Sequence, residues 1–213
     1  MPPAATTQSY PTVPSAPSNS DPPNTAIVGA SGANALASAF PVVTDMTLAE
    51  GQGLSYTTSP LRSSVVAAGP ATLELRLSTT VPGTGIWVVV SDVSPDGTPH
   101  PVATGRLNTD YPRIDRRRSL WDPRTDRIVQ PYGRYDQPDP AGVGVERTYH
   151  VELWPIGNRF RAGHRIRLHV LGTSAASKPG LPAVNAIRVG GPTGARLLFP
   201  VLPGGDLRRA LSR

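Results

Sequence analysis

The stretch FRAGHRIRLHV, Phe160 to Val170, sets two of the chain's four histidines in a run of arginines. Ile166, Leu168 and Val170 alternate with Arg165, Arg167 and His169. That period of two is the mark of a strand with one apolar and one polar face. His164 shares parity with the apolar residues and is expected on the core side, at the strand's start. Gly163 before it supplies a turn, which suits an imidazole bonding across a strand end. His169 shares parity with the arginines and is expected to point outward. Histidines on opposite faces do not converge on one metal or one substrate, so both read as framework residues of a sheet.

The same text continues in both directions. Leu73, Leu75 and Leu77 alternate with Glu74 and Arg76, and Tyr149, Val151 and Leu153 alternate with His150 and Glu152. Ile86 to Val90 is a continuous apolar run with β-branched residues, as in a central strand. It ends in SDVSPDG, where Pro95, Asp96 and Gly97 carry turn geometry. Pro101 to Leu107 resumes an extended pattern, and Arg196 to Val201 reads as a last strand. The chain's 25 prolines and 21 glycines are spread throughout, without a repeat. Short strands between turns, with almost no helical period, predict an all-β sandwich.

Composition narrows the chemistry. No cysteine is present, which excludes disulfides, thiolate nucleophiles and cysteine zinc sites. The net charge of +6 comes almost wholly from arginine, Lys178 being the one lysine. The arginines are dispersed and lack an aromatic stacking motif, so nucleic acid is not an expected partner. No apolar run approaches the roughly 20 residues of a membrane helix, and the first 24 residues do not read as a signal peptide. No membrane partner is expected, and the cytoplasm is the default compartment.

Motifs for catalysis are incomplete. In TAIVGASGANALASAF, Thr25 to Phe40, Gly29 and Gly32 lack the third glycine of a dinucleotide fingerprint. The same stretch nearly spells a nucleophile elbow around Ser31, but Ala33 replaces the last glycine. His100 falls in a turn and His150 on an outer strand face, while Asp92 and Asp96 read as turn and cap residues. Trp87 and Trp154 sit in strand text and are expected to be packed. No catalytic, cofactor-binding or metal-binding residue is assigned. One region resists the strand reading: Asn108 to Gly144 reads as a long structureless loop, in which Trp121, Tyr132 and Tyr135 lie among Arg113, Arg116, Arg117, Arg118, Arg124 and Arg127. Such loops are often functional, and Trp, Tyr and Arg are the residues that anchor interfaces. Residues 111–135 are therefore the expected docking surface.

Several stretches together carry a resemblance. They are GLSYTTSPL (53–61), AAGPATLELRLST (67–79), WVVVSDVSPDG (87–97), ATGRL (103–107), YHVELWPIGNRFRAGHRIRLHVLGTS (149–174) and PAVNA (182–186). In this order and spacing they resemble the C-terminal domain of the Xaa-Pro dipeptidyl-peptidase and cocaine esterase family of serine hydrolases. The resemblance implies a galactose-binding-like jelly-roll sandwich that packs on an α/β-hydrolase domain carrying the Ser-His-Asp triad. It places no triad residue on this chain and makes His164 a framework residue. The chain departs from the family at Pro82–Gly85 and in AASKPGLP after the GHR strand. The implied organisation is a Pro/Ser/Ala-rich linker or tail over 1–45, disordered or irregular, the sandwich over 46–205, and a basic tail over 206–213. The hydrolase domain is missing here, as from a truncated reading frame or a separately encoded domain. The implied role is to brace and partly wall that domain, in cis in the family and in trans here if at all, with no activity alone and with self-association where the partner is lacking. The alternative is a free-standing carbohydrate-binding β-sandwich module.

Overall fold

The computed structural model describes residues 4–12, 46–172 and 182–212. Eleven strands follow in chain order: β1 (Thr6–Thr12), β2 (Gly53–Thr57), β3 (Val65–Thr79), β4 (Gly85–Val93), β5 (Pro99–Asn108), β6 (Leu120–Asp122), β7 (Arg127–Gln130), β8 (Arg147–Phe160), β9 (Arg165–Leu171), β10 (Ala183–Val189) and β11 (Arg196–Leu198). A 3-10 turn, Thr47–Gln52, precedes β2, and a short helix α1, Leu207–Leu211, follows β11. One sheet has the order β1-β10-β3, with β8 and β11 also paired to β3, and the other has the order β2-β9-β4-β5. Every pairing is antiparallel.

The two sheets face each other across one core, as the alternation requires. Leu73, Leu75 and Leu77 of β3 and Tyr149, Val151 and Leu153 of β8 meet Ile86, Val88 and Val90 of β4 and Ile166 and Val170 of β9. All are nearly free of solvent contact, and each fully buried aliphatic side chain contributes about 1.5–3 kcal/mol relative to exposure. The unbroken apolar run of β4 has a separate cause. Its odd-numbered residues Trp87 and Val89 leave the sandwich interior and join Met46 and Leu171 in a second, smaller cluster on the outer side of the sheet. Trp87 is anchored there by its indole N–H, which donates to Thr104 Oγ1 at 2.7 Å.

Three segments differ from the sequence reading. Thr6–Thr12, read as part of a disordered tail, is a full edge strand paired from Thr6↔Val189 to Thr12↔Ala183. Its sequence, TTQSYPT, offers one large apolar side chain, so composition hid it, yet that residue, Tyr10, is 2% exposed and sits in the core. The remainder of the expected tail, 13–45, lies outside the described residues. Residues 206–212, read as a basic tail, hold α1. The Asp206 carboxylate caps it by accepting from Arg209 N at 3.0 Å, and Ala210 is buried. The expected structureless loop is ordered by a β6–β7 hairpin and an isolated bridge between Ile114 and Gly133.

At one margin of the sandwich β5 lies against β8. A Cβ at Gly105 would fall 2.1 Å from the Glu152 carbonyl oxygen, so only glycine allows the two backbones to come this close. If β1 is integral to the core, Tyr10→Ala lowers unfolding free energy by about 3 kcal/mol in denaturant titration. A change within about 0.5 kcal/mol would mark β1 as peripheral.

Candidate functional site

The histidines of the opening stretch resolve first. His164 Nδ1 lies 2.8 Å from Asp92 Oδ1, and Asp92 Oδ2 accepts from Asn158 Nδ2 at 3.1 Å. The group ties the start of β9 to β4 and β8, the strand-end role expected of His164. Asp92, read as a turn residue, is its partner, whereas Asp96 does serve the turn by accepting from Thr98 N at 3.0 Å.

His169 departs from expectation. It lies on the polar-parity face but is 0% exposed, between Ser55 Oγ at 3.2 Å from Nδ1 and Ser91 Oγ at 3.0 Å from Nε2. Burial pulls its pKa down to about 4, and the Arg167 guanidinium adds to the shift. The imidazole is therefore neutral at pH 7 and cross-links β2, β9 and β4 through two hydroxyls. Ser91 is as fully buried as the histidine, so this serine–histidine contact is sealed from substrate.

The region 108–146 builds a different kind of site. Its aspartates shape it. Asp115 Oδ1 accepts from Arg117 N and Arg118 N, and Asp122 Oδ1 accepts from Arg124 N, closing two side-chain turns. The hairpin then lies across the outer face of the β3–β8 pair. Thr72 Oγ1 donates to Val129 O at 2.6 Å, Gln130 Nε2 donates to Glu152 Oε1 at 2.8 Å, and Arg127 stands 3.7 Å from Glu74. Several arginines of this region are stacked or paired. Arg116 covers the Trp121 ring at 4.1 Å, Arg118 covers Tyr132 at 3.6 Å, and Arg113 and Arg147 share the Asp139 carboxylate at 3.1 and 2.6 Å.

Between the β5–β8 margin and the segments 111–114 and 131–135 lies a cleft of about 380 Å³. Tyr111, Arg113, Tyr135, His150, Glu152 and Trp154 line it. An adjoining cavity shares Tyr135 and Glu152 and adds Leu120 and Gln130 of the hairpin and Tyr132. The Tyr111 and Tyr135 rings meet at 5.9 Å and 58°. Tyr135 lies across Gly133, where a Cβ would stand 2.5 Å from its hydroxyl oxygen. Burial, with the nearby Glu152 charge, holds the Tyr135 hydroxyl above its usual pKa. Burial holds His150 below its usual value, partly opposed by Glu74, and His150 Nδ1 is buried with no hydrogen-bond partner among the described residues. Trp154, expected to be packed, is 46% exposed on the cleft wall.

The sequence of residues 2–180 matches the family model described as the X-Pro dipeptidyl-peptidase C-terminal non-catalytic domain. The chain belongs to that family. Two curated relatives, from Mycobacterium bovis and Mycobacterium tuberculosis, are named as candidate serine esterases and are each 29% identical over 131 residues, 61% of this chain and 20% of theirs. Among solved structures, an alpha-amino acid ester hydrolase superposes with a TM-score of 0.69 at 18% identity, covering 92% of this chain and 32% of that one. A CocE/NonD family hydrolase from Staphylococcus aureus gives 0.66 at 15% identity, over 93% and 33%. An aminopeptidase from a marine sediment archaeon, Thaumarchaeota archaeon, gives 0.66 at 16%, again over 93% and 33%. This X-Pro dipeptidyl-peptidase C-terminal-type chain therefore spans about a third of those solved chains and a fifth of the curated relatives.

Within this X-Pro dipeptidyl-peptidase C-terminal domain, the GHR strand is β9 and the SDVSPDG turn joins β4 to β5. Gly29, Ser31, Gly32 and Ala33, weighed as cofactor or nucleophile signals, lie outside the described residues. His100 is exposed on β5. Sequence reasoning missed the cleft, although β8 carried its signal, because His150, Glu152 and Trp154 share one parity. What spacing did not reveal is that the 108–146 segment folds over that face.

The buried His169 makes a prediction about pH. Its folded pKa lies below the unfolded value of about 6.5, so the unfolded chain takes up the proton first. Its contribution is complete above pH 6.5 and is lost as pH falls toward 4. His169→Gln should flatten the fall in thermal midpoint across that window. An unchanged pH profile in the variant would exclude His169 as the source.

Proposed function

We propose that this domain braces, and partly walls, an α/β-hydrolase domain that carries a Ser-His-Asp triad and cleaves peptide, ester or amide bonds. The chain supplies shape and contact surface and no catalytic, cofactor or metal residue. The family match and the much longer relatives support this reading. The observation that carries the docking role is the outward side of the hairpin. There Leu120 is 52% and Tyr132 41% exposed, beside the Arg118–Tyr132 and Arg116–Trp121 stacks. Aromatic and arginine anchors of this kind mark protein interfaces, and an isolated chain leaves them in water.

Two measurements on the purified chain test the proposal. A fluorophosphonate serine probe should leave it unlabelled, and p-nitrophenyl esters should remain unhydrolysed. Sedimentation should show concentration-dependent self-association through the uncovered hairpin, which the double variant Leu120→Glu/Tyr132→Glu abolishes. Labelling at a serine would overturn the non-catalytic role. A monomer at every concentration, silent to an apolar dye, would overturn the docking surface.

A further inference from the structure

We infer that the cleft between β8 and the segments 111–114 and 131–135 that flank the β6–β7 hairpin binds a neutral, polyhydroxylated ligand, a short saccharide, against the rings of Trp154 and Tyr135. The inference goes beyond the bracing role and stands without it. Three observations converge.

The first is a pair of exposed aromatic rings, one of them held in place. Trp154 of β8 is 46% and Tyr135, in the segment after β7, 64% exposed, and both line the cleft. Tyr135 is fixed by the Tyr111 ring and by the bare backbone of Gly133 beneath it, which leaves no room for a Cβ. Pinned rings exposed in a concave site offer flat apolar surface at little ordering cost.

The second is the polar lining between them. Glu152 offers carboxylate oxygens, one already oriented by Gln130. His150 also lines the cleft, and burial holds its pKa below the usual value, so the ring adds no positive charge near pH 7.

The third is charge. Arg113 is already paired with Asp139, and Arg106 lies over the Trp87 ring at 5.4 Å. An anionic ligand would meet Glu152, and a cationic one would meet both arginines. A neutral molecule that carries hydroxyls on its rim and C–H groups on its face satisfies all three elements. A hydroxyl donates to Glu152, another accepts from a guanidinium, and the C–H face packs on an indole or phenol ring. The volume of about 380 Å³ falls at the small end of ligand sites. A peptide is the weaker fit. Recognition of an extended chain uses a free sheet edge or a long groove, and the floor of this short cleft is where β5 and β8 abut at Gly105.

The test is calorimetric titration of the chain, with tryptophan fluorescence as a second readout. The probes are cellohexaose, xylohexaose, mannohexaose and chitohexaose, against hexagalacturonate as the anionic control and decaproline as the peptide control. At least one neutral hexamer should bind and shift the emission of Trp154, with neither control binding as well. Trp154→Ala and Tyr135→Ala should each weaken binding about tenfold or more, the scale of one lost ring contact. Both side chains are exposed, so the thermal midpoint should hold. Gly133→Val should weaken binding through displacement of the Tyr135 ring. No heat and no fluorescence change with any neutral hexamer at millimolar concentration would overturn the inference. So would binding that survives both ring deletions, or a preference for hexagalacturonate or decaproline.

Discussion

The long antiparallel ladder between β3 and β8 determines both faces of this molecule at once. It runs from Val65↔Phe160 to Leu77↔Arg147, with one irregularity between Gly69 and Ala71. In a strand, each residue's face is fixed by its parity, so a one-residue slip would exchange interior and exterior along the whole ladder. Leu73, Leu75 and Leu77 with Tyr149, Val151 and Leu153 make the slip prohibitive, because it would move the three large apolar side chains of one strand or the other out of the core. The same register therefore also decides what stands outside. Thr72, Glu74, His150 and Glu152 are placed side by side on the outer face, where the hairpin and the cleft are built on them.

The outer face is a polar assembly, and its energetics differ from those of the core. The ion pairs there join partly exposed groups, and pairs of that kind are individually worth up to about 1 kcal/mol. What gives the hairpin its shape is hydrogen bonding from fixed places: Asp115 and Asp122 to following backbone amides, Thr72 to the Val129 carbonyl, Gln130 to Glu152. The arginines stack over Trp121 and Tyr132, which covers ring faces while the guanidinium edges stay wet. A chain rich in arginine and poor in lysine suits this use, since the planar guanidinium stacks where an ammonium does not.

The strands were legible in the sequence wherever a long alternation sets the face. Leu73 to Leu77, Tyr149 to Leu153 and Ile166 to Val170 each point as their parity requires. His164 was legible for the same reason, but its partner was not, because Asp92 lies 72 residues away in sequence and only the fold brings the two together. His169 shows the limit of the rule. Parity places it outside the sandwich, yet Met46, Trp87, Val89 and Leu171 add a second apolar layer on that side, and an outward residue is not then an exposed one. Trp154 is the converse, a large apolar ring in strand text that parity sends outward to the cleft. Thr6–Thr12 was hidden because an edge strand of threonine and serine is held by backbone bonds that no hydropathy pattern announces. The cleft needed the path of residues 111–135 beside β8, which turn chemistry at Asp115 and Asp122 shapes only locally.

The pairing of β1 with β10 joins Thr6 to Val189, residues far apart in the sequence. During synthesis β1 therefore waits for β10 to emerge, while β3, β4, β5, β8 and β9 have neighbours closer at hand. Contacts between such distant residues carry the largest loop-closure entropy, though each doubling of the loop adds only about 0.6 kcal/mol. Non-local pairing of this kind slows folding more than it weakens the folded state. β1 thus closes the sheet as a late clasp, and until it does, the edge of β10 stands open to any other extended segment in reach.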